Sequence, residues 1–262
     1  MAGILGIGAS GLQAQQRRLD LIANNIANVD TPGYKESQAA TQDDTYAAVR
    51  IAAVDPEQHA IVGADFWLGQ GVQVAGTPRY FRQGAVDPTQ NPLDLAIIGD
   101  GFFPIRLPDG NVAYGRDGRF NMDPQGNLVN ASGNLLDTNI VVPANVTQVS
   151  VDASGNVMAL DPTTGQPQQL GTIQLAQFAN SQGLEAIGGN LFRETVSSGP
   201  AQLGQAGTAG YGQIMSGALE ASNVDLAQQF TRMMEAQRAY QAAARVIRTT
   251  DDMMGLANAM PR

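Results

Sequence analysis

The sequence predicts an α+β fold, with long amino- and carboxy-terminal helices pairing as a coiled-coil-like core domain around a central antiparallel β-rich domain. Three observations carry this: a seven-residue apolar repeat at each end, a middle rich in Gly, Asn and Asp turns, and a charge distribution that separates ends from middle. The 262 residues include 43% hydrophobic side chains, enough to bury a real core. The ends, 1–35 and 222–262, carry +1 each and the middle, 36–221, carries −11.

The amino-terminal helix is read from Leu5, Leu12, Leu19 and Ile26 at seven-residue spacing, with Ile22 and Val29 on a second row. Thr31-Pro32-Gly33 ends it, because proline and glycine interrupt helical backbone. At the other end Leu219, Leu226, Met233, Tyr240, Ile247 and Met254 form one row, with Phe230 and Ala244 interleaved. Ser222 and Asn223 are the expected cap residues of that helix. Burial of one seam together with net hydrogen bonding nearly offsets the entropy of ordering the segment, so full order is expected to wait for neighbouring copies.

Between the helices, turn sequences recur at Pro108–Asn111, Asp123–Asn127, Ser132–Asn134 and Asp152–Asn156, separated by strand-like pieces at Leu93–Ile98, Ile140–Val142 and Ile173–Phe178. The expected boundaries are 1–35 for the first core helix, 36–80 for an extended linking segment, 81–212 for the β-rich domain, and 213–262 for the second core helix. Gly199–Gly212 reads as a flexible return toward the last helix.

Composition removes several function classes. A net charge of −9 with a single lysine, Lys35, argues against nucleic-acid or anionic-membrane binding, which need positive surface. There is no cysteine, hence no disulfide or thiolate site, and His59 is the only histidine. No catalytic or metal residue and no cofactor is expected. Gly6-Ile7-Gly8-Ala9-Ser10-Gly11 spells GxGxxG, with Asp30 at the spacing of a ribose-binding acid. Only five residues precede it, however, and 24–29 continues a helical repeat where a second strand should run, so close helix packing is the preferred reading. His59 is expected in a loop, and Asp43-Asp44 and Asp251-Asp252 on solvated faces, since adjacent side chains diverge.

Two long motifs carry a resemblance. Leu19 through Lys35 (LDLIANNIANVDTPGYK) and Ser222-Asn223-Val224-Asp225-Leu226 with Gln237-Arg238-Ala239-Tyr240-Gln241 resemble the terminal signatures of the rod and hook axial proteins of the bacterial flagellum. Asn91–Phe103, Tyr114–Phe120 and Gly183–Asn190 are similar to the distal-rod branch of that family, whereas Thr31–Lys35 is closer to proximal-rod wording. The resemblance implies a non-enzymatic structural subunit of the basal-body rod, exported by the flagellar type III apparatus without a cleaved signal and polymerised with itself into a hollow helical drive shaft across the periplasm. Other rod proteins, the hook protein and the surrounding rings are the implied partners, with no nucleic acid and no membrane insertion. A proximal-rod or hook-junction subunit is the alternative, and a dinucleotide-binding enzyme the remote one. Expected subunit-interface residues are Leu12, Leu19, Ile22, Ile26, Leu226, Phe230, Met233, Tyr240 and Ile247 on the helices, and Tyr46, Phe66 and Trp67 in the extended segment.

Overall fold

The computed structural model describes residues 2–54, 61–138, 140–143, 146, 148–160 and 166–259, with side chains described throughout except at 2–4, 48–54, 61–66 and 257–258. His59 and the side chain of Phe66 therefore lie outside the described residues. The chain forms two compact units: residues 1–25, 37–78 and 226–262 make one, and residues 26–36 and 79–225 the other. The fold class is α+β, as the sequence predicts.

In the first unit, helix α1 (Ala2–Ala27) runs antiparallel to helix α2 (Leu226–Ala259). Two contacts fix the direction: the backbone of Gly8 lies against Ile247, and Asn25 Nδ2 donates to Gln229 Oε1 at 3.4 Å. Advancing along α1 thus retreats along α2. The 37–78 stretch supplies Ala40–Asp43 paired antiparallel with Val72–Gly76, and a hairpin of nine-residue strands, Tyr46–Val54 with Ile61–Gly69, in a continuous antiparallel register.

The second unit is antiparallel throughout its described strand pairings. Its largest sheet has the order Glu185–Gly188, Leu191–Arg193, Val112–Gly115, Phe103–Arg106, Leu135–Leu136, Leu128–Asn130, Phe120–Met122. Each predicted turn closes a hairpin here. Asp123, Asn130 and Asp152 each use a side-chain oxygen to accept the amide of the residue four places on, at 2.7 to 2.9 Å. The glycine at the fourth position of each turn takes a positive φ of 80 to 86°, which a side chain would strain.

Alternation along one strand entry divides the core. Phe103 packs edge-on to Phe120, centroids 5.2 Å apart, among Leu95, Ile97, Ile105 and Val157. Its neighbour Phe102 points to the opposite face and joins Tyr114, Phe178 and Phe192. The expected flexible return is instead partly a strand: Gln202–Gln205 pairs with Gln174–Gln177, satisfying its backbone in a ladder. Likewise 213–220 is not helical. Gln213–Ser216 pairs with Leu95–Ile98 and Ala218–Glu220 with Val86–Pro88, so Leu219, first in the predicted seam, sits in a strand. Ladder hydrogen bonds to segments distant in sequence outweigh a heptad coincidence there.

Candidate assembly surfaces

In the first unit the helices meet along a narrow stripe. On α1, Ala14, Ile22 and Asn25 are buried and Leu12 and Leu19 half-buried; Ile26, also half-buried, begins the part of the helix that belongs to the second unit. On α2, Gln229, Ala236, Ala243 and Thr250 fall at seven-residue spacing, all buried but Ala243, which like Met233, Ala244, Ile247 and Met254 is half-buried. The row through Met233, Ile247 and Met254 is the one the repeat predicts. The interleaved row runs through Gln229, Ala236 and Ala243, one residue before the expected Phe230, while the expected Ala244 is half-buried beside it.

The helices approach closely at Gly8. A β-carbon there would stand 2.8 Å from Ile247 Cγ1, whereas Gly6 and Gly11 face open space. The GxGxxG string lies wholly inside α1, so its backbone is helical and not a phosphate-cradling loop. Polar groups close the end of the pair: Asn25 Nδ2 donates to Ser37 O at 2.8 Å and Asn25 Oδ1 accepts from Ser37 N at 3.1 Å. Gln229 was invisible to an apolar repeat. Its position seven before Ala236 was the available signal.

Large apolar side chains on both expected rows are left outside. Leu226 is 41% exposed, Phe230 47%, Met234 51% and Tyr240 38%, and Val246, Met253 and Leu256 are exposed farther along. Among the expected interface residues, then, Ile22 is buried between the helices, Leu12, Leu19, Met233 and Ile247 are partly covered, and Leu226, Phe230 and Tyr240 face outward. Tyr46 and Trp67 are also exposed, at 57% and 62%. They lie near the paired base of the nine-residue hairpin, Tyr46 opposite Gly69 and Trp67 opposite Ala48.

The second unit gathers the end of the first signature and the start of the second into a buried clasp. Gly33 takes φ +70° in the turn that follows α1, and its amide donates to the Glu220 carbonyl at 2.8 Å. Lys35 Nζ, fully buried, donates to Glu220 Oε1 at 2.6 Å and to the Arg82 carbonyl at 2.8 Å. Glu220 Oε1 also accepts from the amide of Gly84, and Oε2 pairs with Arg116 at 3.3 Å. Arg116 in turn donates to the Gly99 carbonyl at 2.8 Å and lies over the Phe102 ring. Burial pushes the Lys35 ammonium down to about 8 against the opposing pull of Glu220, with Arg116 adding to the depression.

Asn223, expected as a helix cap, belongs to this clasp. Its Oδ1 accepts from the Glu36 amide at 2.7 Å and its Nδ2 donates to the carbonyls of Tyr80 and Arg82. The helix begins three residues later, after Asp225, so Asn223 is out of capping range of its first amides. The two terminal motifs are thus packed together by hydrogen bonds that no helical repeat encodes.

Known protein families match in the same places. Residues 5–35 match the flagella basal body rod protein family, 96–159 the flagellar hook protein FlgE/F/G D1 domain, and 215–260 the C-terminal domain of the flagellar basal body rod FlgEFG proteins. The chain is 42% identical to the flagellar basal-body rod protein FlgG of Caulobacter vibrioides, over 95% of this chain and 96% of that one. It is 40% identical to FlgG of Borreliella burgdorferi over the full length of both. Identity to the rod protein FlgF of the same Caulobacter strain is 31%, over 97% of this chain and 95% of that one. The chain therefore belongs to the flagellar basal-body rod protein family, sharing more of its sequence with these FlgG proteins than with that FlgF.

Proposed function

We propose that this chain is a non-catalytic structural subunit of the flagellar basal-body rod, of the distal type, which polymerises with itself into a helical shaft that carries torque from motor to hook. The carrying observation is the outward row Leu226, Phe230 and Tyr240 on a helix whose other face is already occupied by α1. Large apolar side chains in that position gain about 1.5 to 3 kcal/mol each on full burial, and neighbouring copies supply that cover. Tyr46 and Trp67, with Phe66 in the same strand, are the second contact, made by the hairpin against adjacent subunits. Other rod proteins and the hook protein continue the shaft at its ends, and the rings surround it. Export through the flagellar type III apparatus without cleavage delivers the chain to a rod spanning the periplasm.

The test is a Leu226→Asp/Phe230→Asp chain expressed in place of the native one. Basal bodies lacking the distal rod, with the β unit still folded by circular dichroism of the purified protein, are expected. Rods of normal length and full motility with this chain would overturn the proposal.

A further inference from the structure

Two buried cations of the clasp share one carboxylate: Lys35 and Glu220 have fully buried side chains and that of Arg116 is 2% exposed, while the buried carboxylate of Glu36 pairs with Arg82 at 3.5 Å. The ion pairs of Lys35 and Arg116 both go to Glu220, and their sequence positions are far apart. Lys35 and Arg116, with the groups that surround them at Arg82, Gly84 and Gly99, all precede residue 117, while the carboxylate comes a hundred residues later. The strands that frame the clasp repeat the arrangement, since Val86–Pro88 and Leu95–Ile98 wait for Ala218–Glu220 and Gln213–Ser216.

We propose that Glu220 is the closing key of the β unit: until it docks, the unit cannot shut over Lys35 and Arg116, so a chain delivered amino end first stays open until residue 220 has emerged. An ion taken from water without its partner loses several kcal/mol, and here two like charges would also face each other. Closing 26–36 and 79–212 alone would incur both penalties, because the other buried carboxylate, Glu36, is paired with Arg82. Synthesis always presents the amino end first, so the device acts on any nascent chain. It serves the proposed function as well, by keeping the β unit unlocked during export, but it does not depend on that function.

Refolding of the full chain from urea, with pulsed hydrogen exchange read by mass spectrometry, tests it. The observable is the ratio of the time constant for protecting 103–106 and 112–115, which pair with each other, to that for 218–224. In the wild type the ratio is expected near one. In the charge-free variant Lys35→Met/Arg116→Met/Glu220→Gln the early strands should protect about tenfold sooner, the effect of removing roughly 1.4 kcal/mol of barrier. Should that variant not reach the native state, Lys35→Met, which leaves one cation for one carboxylate, is expected to protect them about threefold sooner. A wild-type chain that protects 103–106 and 112–115 well before 218–224 overturns the proposal. So does a folding variant whose ratio stays at one, because strand pairing alone would then set the order.

Discussion

Glu220→Gln isolates the energetic weight of the clasp. The substitution keeps the shape and an acceptor oxygen, so Gly84 N and one cation retain a hydrogen-bond partner, but Lys35 and Arg116 are left buried without a counter-charge. Removing one member of a buried ion pair costs about 3 to 5 kcal/mol. At roughly 2 to 4 °C per kcal/mol for a unit of this size, the melting temperature should fall by about 10 °C. Circular dichroism at 218 nm, about where β structure absorbs, with urea unfolding of the same samples, measures both quantities. A cycle with Lys35→Met sharpens the result: in the Glu220→Gln background it should recover about 1 to 3 kcal/mol by removing one uncompensated charge. Glu220→Gln within about 1 kcal/mol of wild type, or no recovery in the double variant, would refute the assignment of these charges as the clasp's main electrostatic term.

Further outcomes follow from single positions. Because the folded-state pKa of Lys35, about 8, lies below the 10.5 of the exposed group, the unfolded chain binds more protons between those values. Stability from this group therefore rises with pH through that window and is lost as pH falls through 8; wild type should gain about 2 kcal/mol on Lys35→Met between pH 7.5 and 9.5 in urea titrations. Asp152→Ala should cost about 1 to 2 kcal/mol of β-unit stability by urea unfolding, since the carboxylate accepts from the amides of Ser154 and Asn156 and from Asn156 Nδ2. Desolvation works to raise the Asp152 pKa, but those hydrogen bonds together lower it, so its contribution persists above the ordinary value of 3.8 and fades as pH drops through the folded-state value. Gly118→Ala should destabilise the β unit by about 3 kcal/mol or more in thermal melts, because its β-carbon would overlap the Leu95 carbonyl oxygen beside the Leu95 N to Gly118 O bond. Gly110→Ala, in open space at φ +84°, should cost only about 1 kcal/mol in the same assay.

Local signals made the helices and hairpins legible in the sequence. A seven-residue repeat is a property of one segment, so α1 and most of α2 could be read directly, as could the Asp and Asn turns whose side chains bond their own backbone. The terminal signatures likewise placed the chain in its family. Where a partner segment decides, the sequence was silent. Leu219 fits a heptad yet sits in a strand because Val86–Pro88 offers it a ladder, and Asn223 resembles a cap yet bonds Glu36, Tyr80 and Arg82.

The row of α2 that meets α1 was also set by the tertiary structure, through the close approach at Gly8 and the Asn25–Gln229 contact. That choice turned Phe230 outward and made an apparent seam residue into an exposed one. The single lysine was visible from the start, but only as a count. Its burial against Glu220, 185 residues away, arises because two cations can enter the interior only where the fold delivers a carboxylate to meet them. Periodicity and turn chemistry specify elements because they act within a few residues; which faces close, and which charges are sealed between them, depends on segments that meet only in the folded chain.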